Sequence, residues 1–248
     1  MIEQIFIVSG LSFGLSFIFA LGGVGAAVVL VPVLFWMGIP LNEAKPTGLF
    51  VNTISMIGAS YDNIKHKRLD FRLGTPIIVS SLILAPIGAY VSVHIPQKLV
   101  LIVFIAFLVF ASALMLFFRS AKYSDQFRED RPIVPMIAIG TLAGFISGLL
   151  GIGGGNLIAP ILIFMGYNPK KVAAITAFVV PFSSLTGFIA YAIMGHFEVL
   201  LILPAGAAAY AGGYLATVFM QNRMKPSAVK RLLAVILLVL AVKLIFKL

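Results

Sequence analysis

Two glycine clusters, 128 positions apart, are the part of this sequence best suited to bind a ligand. They lie at 22–25 and 151–155, and each opens a short apolar stretch, at 24–38 and 153–166. The first residues of such a stretch present unpaired backbone N–H groups at a helix N-terminus. A helix N-terminus is partly positive and binds sulfonate or phosphate oxygens without a cationic side chain. The pattern therefore predicts an anion site built largely from backbone.

The residues predicted to contact the anion are those at the starts of the two short stretches. They are Gly23, Val24, Gly25, Gly153, Gly154, Gly155 and Asn156. The alternative is that the glycines only allow helices to pack closely, as small residues do in membrane proteins. A turn inside a membrane must also satisfy its backbone polar groups, which favours the binding interpretation for the second cluster. The two interpretations stay open for the first.

The apolar segment that follows each short stretch adds hydroxyl and amide groups. In the first half these are Thr47, Asn52, Thr53 and Ser55, and in the second Thr176, Ser183 and Ser184. A shift of 129 aligns Thr47 with Thr176 and Ser55 with Ser184, so these side chains are expected to face one cavity. Thr47, Asn52 and Thr176 are the stronger predicted contacts; Thr53 and the serines are weaker candidates. An isolated Ser or Thr in a membrane helix more often bonds to its own backbone.

Lys45 is the cation nearest to these elements. It could draw an anion toward the mouth of the site. The more ordinary interpretation is an interfacial lysine whose amine reaches the headgroup region.

The composition predicts an integral membrane protein. Of 248 residues, 61% are hydrophobic and only 10% charged, where soluble domains have about a quarter charged. The net charge of +10 is explained by basic cytoplasmic loops, so no nucleic-acid partner is expected. The absence of cysteine excludes disulfides, thiolate metal sites and cysteine nucleophiles. No cofactor or metal is predicted.

Each charge-free run around a glycine cluster is too long for one membrane span of about 20 residues. The glycines divide it in two, which predicts an all-α protein of ten segments, five in each half. The segments are 4–22, 24–38, 46–62, 73–93 and 98–118, then 133–150, 153–166, 172–195, 199–220 and 229–247.

The distribution of lysine and arginine predicts the orientation. With both termini outside, fourteen of the 18 basic residues fall in inside loops and four fall outside, as the positive-inside rule requires. Five crossings per half is an odd number, so the halves are expected to be inverted repeats, at 1–118 and 132–248, joined by a cytoplasmic linker at 119–131. The predicted location is the plasma (inner) membrane.

The acidic residues argue against an enzyme. All eight lie in loops or at segment ends. An intramembrane protease needs paired acids or a histidine cluster within the membrane. Proton coupling through a buried carboxylate is disfavoured for the same reason. Three modes of transport remain open: uniport without coupling, coupling through a proton carried by the substrate, and coupling to a cation held by backbone carbonyls.

The second glycine motif, Gly148-Leu149-Leu150-Gly151-Ile152-Gly153-Gly154-Gly155-Asn156-Leu157-Ile158-Ala159-Pro160, resembles that of the TauE/SafE sulfite exporter family, and the resemblance extends over essentially the whole chain. The first copy differs, with Ala26 and Ala27 in place of Gly154 and Gly155. The resemblance implies a secondary transporter that exports sulfite, sulfoacetate or another organosulfonate. Its partners would be a small anion, the lipid bilayer and, in a homo-oligomer, further copies of the chain. An anion channel and a non-transporting membrane scaffold are the alternatives.

Overall fold

The computed structural model describes residues 2–117, 129–195 and 199–223, together with residues 235, 238, 239 and 242. Over these residues the regular structure is helical. The helices are α1 Ile2–Ala20, α2 Ala27–Trp36, α3 Leu41–Lys65, α4 Phe71–His94, α5 Gln97–Phe117, α6 Ile133–Leu150, α7 Gly155–Phe164, α8 Pro169–Ile193 and α9 Val199–Arg223. The predicted tenth segment at 229–247 and most of the predicted linker at 119–131 lie outside the described residues.

Long apolar helices dominate the described part of the chain. Four stretches are long and apolar enough to cross a membrane: Phe71–His94, Ile133–Leu150, Lys170–Ile193 and Ile202–Arg223. Large hydrophobic side chains such as Phe6, Val134 and Ile193 are exposed on the outside of the bundle. A surface of this kind is suited to lipid and not to water.

The helices α2 and α7 are short and begin directly after the glycine clusters, as the sequence predicts. Each has 10 residues and therefore measures about 15 Å, half the thickness of a bilayer core. The chain enters each of them through two glycines with positive φ, Gly23 and Gly25 before α2 and Gly151 and Gly153 before α7. Positive φ is a conformation that side-chain-bearing residues rarely adopt. The glycine clusters therefore make the turns that let a long apolar run reverse inside the bundle.

The main helix contacts join the first half of the chain to the second. Helix α4 packs on α6, α1 on α9, α3 on α9 and α8 on α4, while α3 and α8 cross each other. Glycines make the close approach of α4 and α6: a methyl group added at Gly144 would lie 2.5 Å from backbone atoms of Ser81, and one at Gly148 would overlap the carbonyl of Ala85. Small residues are the usual means of close helix packing in membranes.

The backbone repeats at a constant separation of 128 residues. Among the described residues, positive φ occurs at 23, 25, 38 and 67, and again at 151, 153, 166 and 195. Helices α3 and α8 begin and end 128 residues apart as well. The additional one-residue shift predicted for these two helices is therefore wrong, because neither loop before them carries an insertion. Ser55 corresponds to Ser183, and Asn52 to Val180.

Candidate functional site

The two glycine turns meet near the centre of the bundle. A methyl group added at Gly155 would lie 3.0 Å from Cα of Val24, and Nδ2 of Asn156 is 3.5 Å from the Val24 carbonyl oxygen. Val24 of the first cluster is thus brought together with Gly155 and Asn156 of the second, whereas a methyl group added at Gly154, also predicted as a contact, would lie 3.2 Å from Ala143 of α6. Neither helix start is capped by a side chain. The N–H groups at 27–28 and 155–156 form no hydrogen bond with the other described residues.

Asn52 of α3 lies between the two turns. Its Oδ1 lies against Gly25 and its Nδ2 against Gly153, so closely that a methyl group on either glycine would overlap the carboxamide. Nδ2 donates a 2.9 Å hydrogen bond to Oγ of Ser184 on α8. Asn52 is fully buried, and its Oδ1 accepts no hydrogen bond from the described residues. One polar side chain therefore touches both helix starts and both halves of the chain.

Asn156 contributes a second buried amide at the same place. It is fully buried, and its Oδ1 also has no partner among the described residues. Buried polar atoms are hydrogen-bonded in the large majority of cases. Two buried amide oxygens without a partner among the described residues therefore lie beside the unpaired N–H groups of the helix starts.

Most of the predicted hydroxyl contacts bond to their own helix instead. Thr47 donates to the Glu43 carbonyl at 2.8 Å, and Thr53 donates to that of Leu49 at 2.8 Å. In α8, Thr176 donates to the Val172 carbonyl at 2.8 Å, and Ser183 to the Val180 carbonyl at 3.1 Å. Each bond satisfies the hydroxyl locally, which the sequence analysis names as the commoner case.

Three hydroxyl residues differ in their distance from the turns. Thr176 also lies beside the first turn, since a methyl group added at Gly23 would come 2.7 Å from its Oγ1. Ser184 reaches the second turn through Asn52. Ser55 is buried without a hydrogen-bond partner, but it packs against Gly213 of α9. The structure therefore groups Asn52, Asn156, Thr176 and Ser184 with the glycines.

Lys45 does not lie at the interface with headgroups. Only 2% of it is exposed, and its Nζ donates a 2.6 Å hydrogen bond to Oγ of Ser92 on α4. The snorkelling interpretation is wrong because the amine is buried against Ser92 of α4 and the side-chain stem packs on the turn at Gly151. No local pattern indicates this, since burial of Lys45 depends on helices far away in sequence. Ser92 and Tyr191, which line the same region, were not predicted.

A charged cluster lies at the opposite end of α3. The Asp70 carboxylate, which caps α4, accepts hydrogen bonds from Arg131 at 3.0 Å and pairs with Lys171 of α8 at 3.0 Å. Burial alone would raise the pKa of Asp70, but the hydrogen bonds from Arg131 and Lys171 outweigh it and hold the pKa at about 2. A cavity of about 500 Å³ opens here, lined by Lys67, Arg68, Leu69, Asp70, Phe71, Arg72, Arg131 and Lys171.

No group of three or more potential metal-ligating side chains converges among the residues that the structure describes. Long apolar helices surround two half-length helices whose starts meet at a polar centre. Secondary transporters bind their substrates in arrangements of this class.

The chain belongs to the sulfite exporter TauE/SafE family, whose model matches residues 8–244. It is a multi-pass membrane transporter and not an enzyme. It is 31% identical over 180 residues to probable membrane transporter protein MJ0441 of Methanocaldococcus jannaschii, covering 69% of this chain and 66% of that protein. It is 27% identical over 250 residues to probable membrane transporter protein YunE of Bacillus subtilis, covering 91% of each. A 68-residue stretch is 43% identical to Arabidopsis thaliana sulfite exporter TauE/SafE family protein 1, covering 27% of this chain and 15% of the plant protein.

Proposed function

We propose that this protein is a secondary transporter that exports a small sulfur-containing oxyanion such as sulfite, sulfoacetate or another organosulfonate. The observation that carries the proposal is the position of Asn52 between two glycine turns whose helix starts keep unpaired N–H groups. The family name supports a sulfur oxyanion. The anion binds against the first turns of α2 and α7, with Asn52 and Asn156 as side-chain ligands and Thr176 close by.

The physical reason for an anion is charge compensation. A charged ligand inside a bundle surrounded by lipid must meet opposite charge or several hydrogen-bond donors. Two helix N-termini supply donors and a positive dipole end at one point. Glycine at 153 and 155 lets an oxygen approach the backbone closely, where a larger residue would shield it. The amide nitrogen of Asn52 can turn toward the anion in exchange for its hydrogen bond to Oγ of Ser184, and the amide oxygen has no partner to lose.

The architecture is that of two inverted repeats with the site on the pseudo-twofold axis. In the repeat, α1 corresponds to α6, α3 to α8 and α4 to α9. The packing of α1 on α9 therefore has its counterpart in that of α6 on α4, and the packing of α3 on α9 in that of α8 on α4. The constant separation of 128 residues between positive-φ positions supports the same conclusion. The repeat requires a tenth segment, predicted at 229–247, as the counterpart of α5.

In the orientation that the basic residues favour, α2 runs from the midplane outward and α7 runs from the midplane inward. The cavity at Asp70 then opens to the cytoplasm, and its lysines and arginines attract the anion before export. Alternating access rocks one repeat against the other. The contacts of Asp70 with Arg131 and Lys171 join the two repeats on the inner side and must part when that side opens.

The test is transport by purified protein in proteoliposomes with a panel of sulfite, thiosulfate, sulfate, isethionate and sulfoacetate. We expect saturable uptake of at least one anion and counterflow, in which an unlabelled anion on one side drives labelled anion across. Counterflow distinguishes a carrier from a channel. If no oxyanion of the panel moves, the proposed function is wrong.

Two glycines of the same turn provide a matched pair of variants. A methyl group at Gly155 points at Val24 across the site, at 3.0 Å from its Cα, whereas one at Gly154 points at Ala143 of α6, at 3.2 Å. Gly155→Ala should abolish transport, and Gly154→Ala should retain it at equal expression. Equal transport by both variants would contradict a binding site at the second glycine turn.

A further inference from the structure

Lys45 is a buried cation that has no carboxylate partner among the described residues. Its only hydrogen bond there is to Ser92, which leaves two of the three ammonium donors without a protein acceptor. The acid nearest in sequence on α3, Glu43, is exposed. Burying an unpaired ammonium costs several kcal/mol. The amine must therefore either lose its proton or meet an anion that is not part of the protein.

Among the described residues, the groups that face Lys45 from α4 and α8 are neutral. On α4, Ser92 accepts the hydrogen bond of the amine, and on α8, fully buried Tyr191 pairs with Ser92 and donates to the Gly148 carbonyl at 2.9 Å. Because the Tyr191 hydroxyl uses its proton as a donor, it cannot serve as a negative counter-charge. His94, the other titratable group at this end of α4, is exposed and bonded to the carbonyl of Tyr90.

Lys45 lies next to one part of the candidate anion site, the second glycine turn. Its side-chain stem packs on the second glycine turn, so that a methyl group added at Gly151 would lie 2.5 Å from Cβ of Lys45 and 2.7 Å from its Cα. Gly151 is two residues before Gly153, which contacts Asn52. The position that corresponds to Lys45 in the second half is Ala173, so this charge occurs once in the repeat.

We propose that Lys45 takes up a proton when the oxyanion binds, so that anion and proton occupy the protein together. This inference rests on the proposed function. A nearby anion raises the affinity of the amine for a proton, and by linkage the proton raises the affinity for the anion by the same factor. Coupling to protons then uses an amine, since the eight acidic residues are predicted to lie in loops or at segment ends. The class of ligand is a small oxyanion that enters with roughly one proton.

The experiment is calorimetric titration of the purified protein with thiosulfate and with isethionate, neither of which titrates near neutral pH. Titration in two buffers of different ionisation enthalpy gives the number of protons taken up per anion. We expect uptake that approaches roughly one proton at the pH where the free amine is neutral and the occupied amine is charged. The affinity for the anion should fall as the pH rises further.

Three variants separate coupling from packing. Lys45→Arg keeps the charge but cannot release its proton, so it should bind the anion without proton uptake and independently of pH. Lys45→Met should bind roughly tenfold more weakly or worse, also without uptake. Lys98→Met, which removes an exposed lysine at the beginning of α5, should match the wild type in both respects.

Two results would overturn the inference while the proposed function stands: anion binding by the wild type without proton uptake, or undiminished uptake by Lys45→Arg. The wild-type measurement decides the question even if Lys45→Met does not fold. If neither anion binds and no oxyanion of the transport panel moves, the proposed function fails, and the coupling at Lys45 fails with it.

Discussion

Replacing Asn52 by aspartate would place a negative charge where the anion is proposed to bind. Carboxamide and carboxylate have nearly the same size, so the substitution adds charge and almost no volume. One amide atom of Asn52 lies against Gly25 and the other against Gly153. The new carboxylate would therefore face the first turns of α2 and α7, as the substrate does in the proposed complex.

Two opposing terms decide the stability of Asn52→Asp. Burying a carboxylate costs several kcal/mol. A helix N-terminus stabilises a carboxylate by up to about 2 kcal/mol in a buried geometry. Each hydrogen bond to the charged group stabilises it by about 1.5–3 kcal/mol. Two helix starts and the hydroxyl of Ser184, 2.9 Å from the amide nitrogen, are available as donors. We therefore expect the free energy of unfolding to fall by no more than about 2 kcal/mol.

Asn63→Asp is the matched control, because it buries the same carboxylate on the same helix. Asn63 is 1% exposed, and its amide donates to the Ala59 carbonyl at 3.1 Å. It lies near the C-terminal end of α3, where the helix dipole is unfavourable to a negative charge. The carboxylate cannot replace the lost donor, so we expect this variant to lose about 3–5 kcal/mol.

The assay is thermal unfolding in detergent, with and without the transported anion. An anion at a hundred times its dissociation constant stabilises the wild type by about 2.7 kcal/mol. Asn52→Asp should unfold well above Asn63→Asp and gain nothing from the anion, because its own carboxylate occupies the site. If Asn52→Asp unfolds as early as the control, or is still stabilised by the anion, the helix starts do not form the anion site.

Four further predictions concern the charged cluster, its pH dependence, helix packing and orientation. Asp70→Asn should lower the free energy of unfolding by about 1–2 kcal/mol and change the transport rate, whereas Asp62→Asn, whose ion pairs stay within the first half, should not affect transport. Because its pKa is lowered from 3.8 to about 2, the contribution of Asp70 should be complete above pH 4 and disappear as the pH falls to 2, which acid unfolding measures. Gly148→Ala should lose about 1–3 kcal/mol by separating α6 from α4, and Gly14→Ala, which meets nothing within 4 Å, should not lower the melting temperature. A cysteine at Lys67 should resist an impermeant thiol reagent on intact cells; its labelling would reverse the proposed orientation.

The short helices could be predicted because their cause is local. A charge-free run of nearly forty residues cannot be one span, and glycines mark where it can turn. The predicted stretches at 24–38 and 153–166 contain the observed helices at 27–36 and 155–164. Asn156 was predicted because it follows the second glycine cluster at the start of a short stretch, and Asn52 because it lies in the apolar segment after the first short stretch.

The hydroxyl groups and Lys45 could not be placed from the sequence. Whether a threonine faces a cavity depends on the rotation of its helix about its own axis. In any rotation, the hydroxyls of Thr47 and Thr176 can donate to a backbone carbonyl of the preceding turn. The burial of Lys45 arises from its contacts with Ser92 of α4 and with the turn at Gly151, which lie far away in the sequence and leave no signal near Lys45. The surroundings of these side chains therefore depend on long-range packing, which local sequence patterns do not encode.

The polar residues of the site are where the two halves of the chain differ. At the constant separation of 128, Asn52 corresponds to Val180, Lys45 to Ala173 and Asn156 to Val28, whereas the positive-φ glycines repeat and the bounds of α2 and α3 recur in α7 and α8. A repeat of backbone alone would offer two equivalent helix starts, between which one small anion has no preferred orientation. The two amides with unpaired oxygens and the buried amine each occur once, and they would give the proposed site a direction. We therefore expect substitutions in the repeated glycines to affect whether an anion binds. Substitutions at Asn52, Lys45 and Asn156 should affect which anion binds and whether a proton is taken up with it.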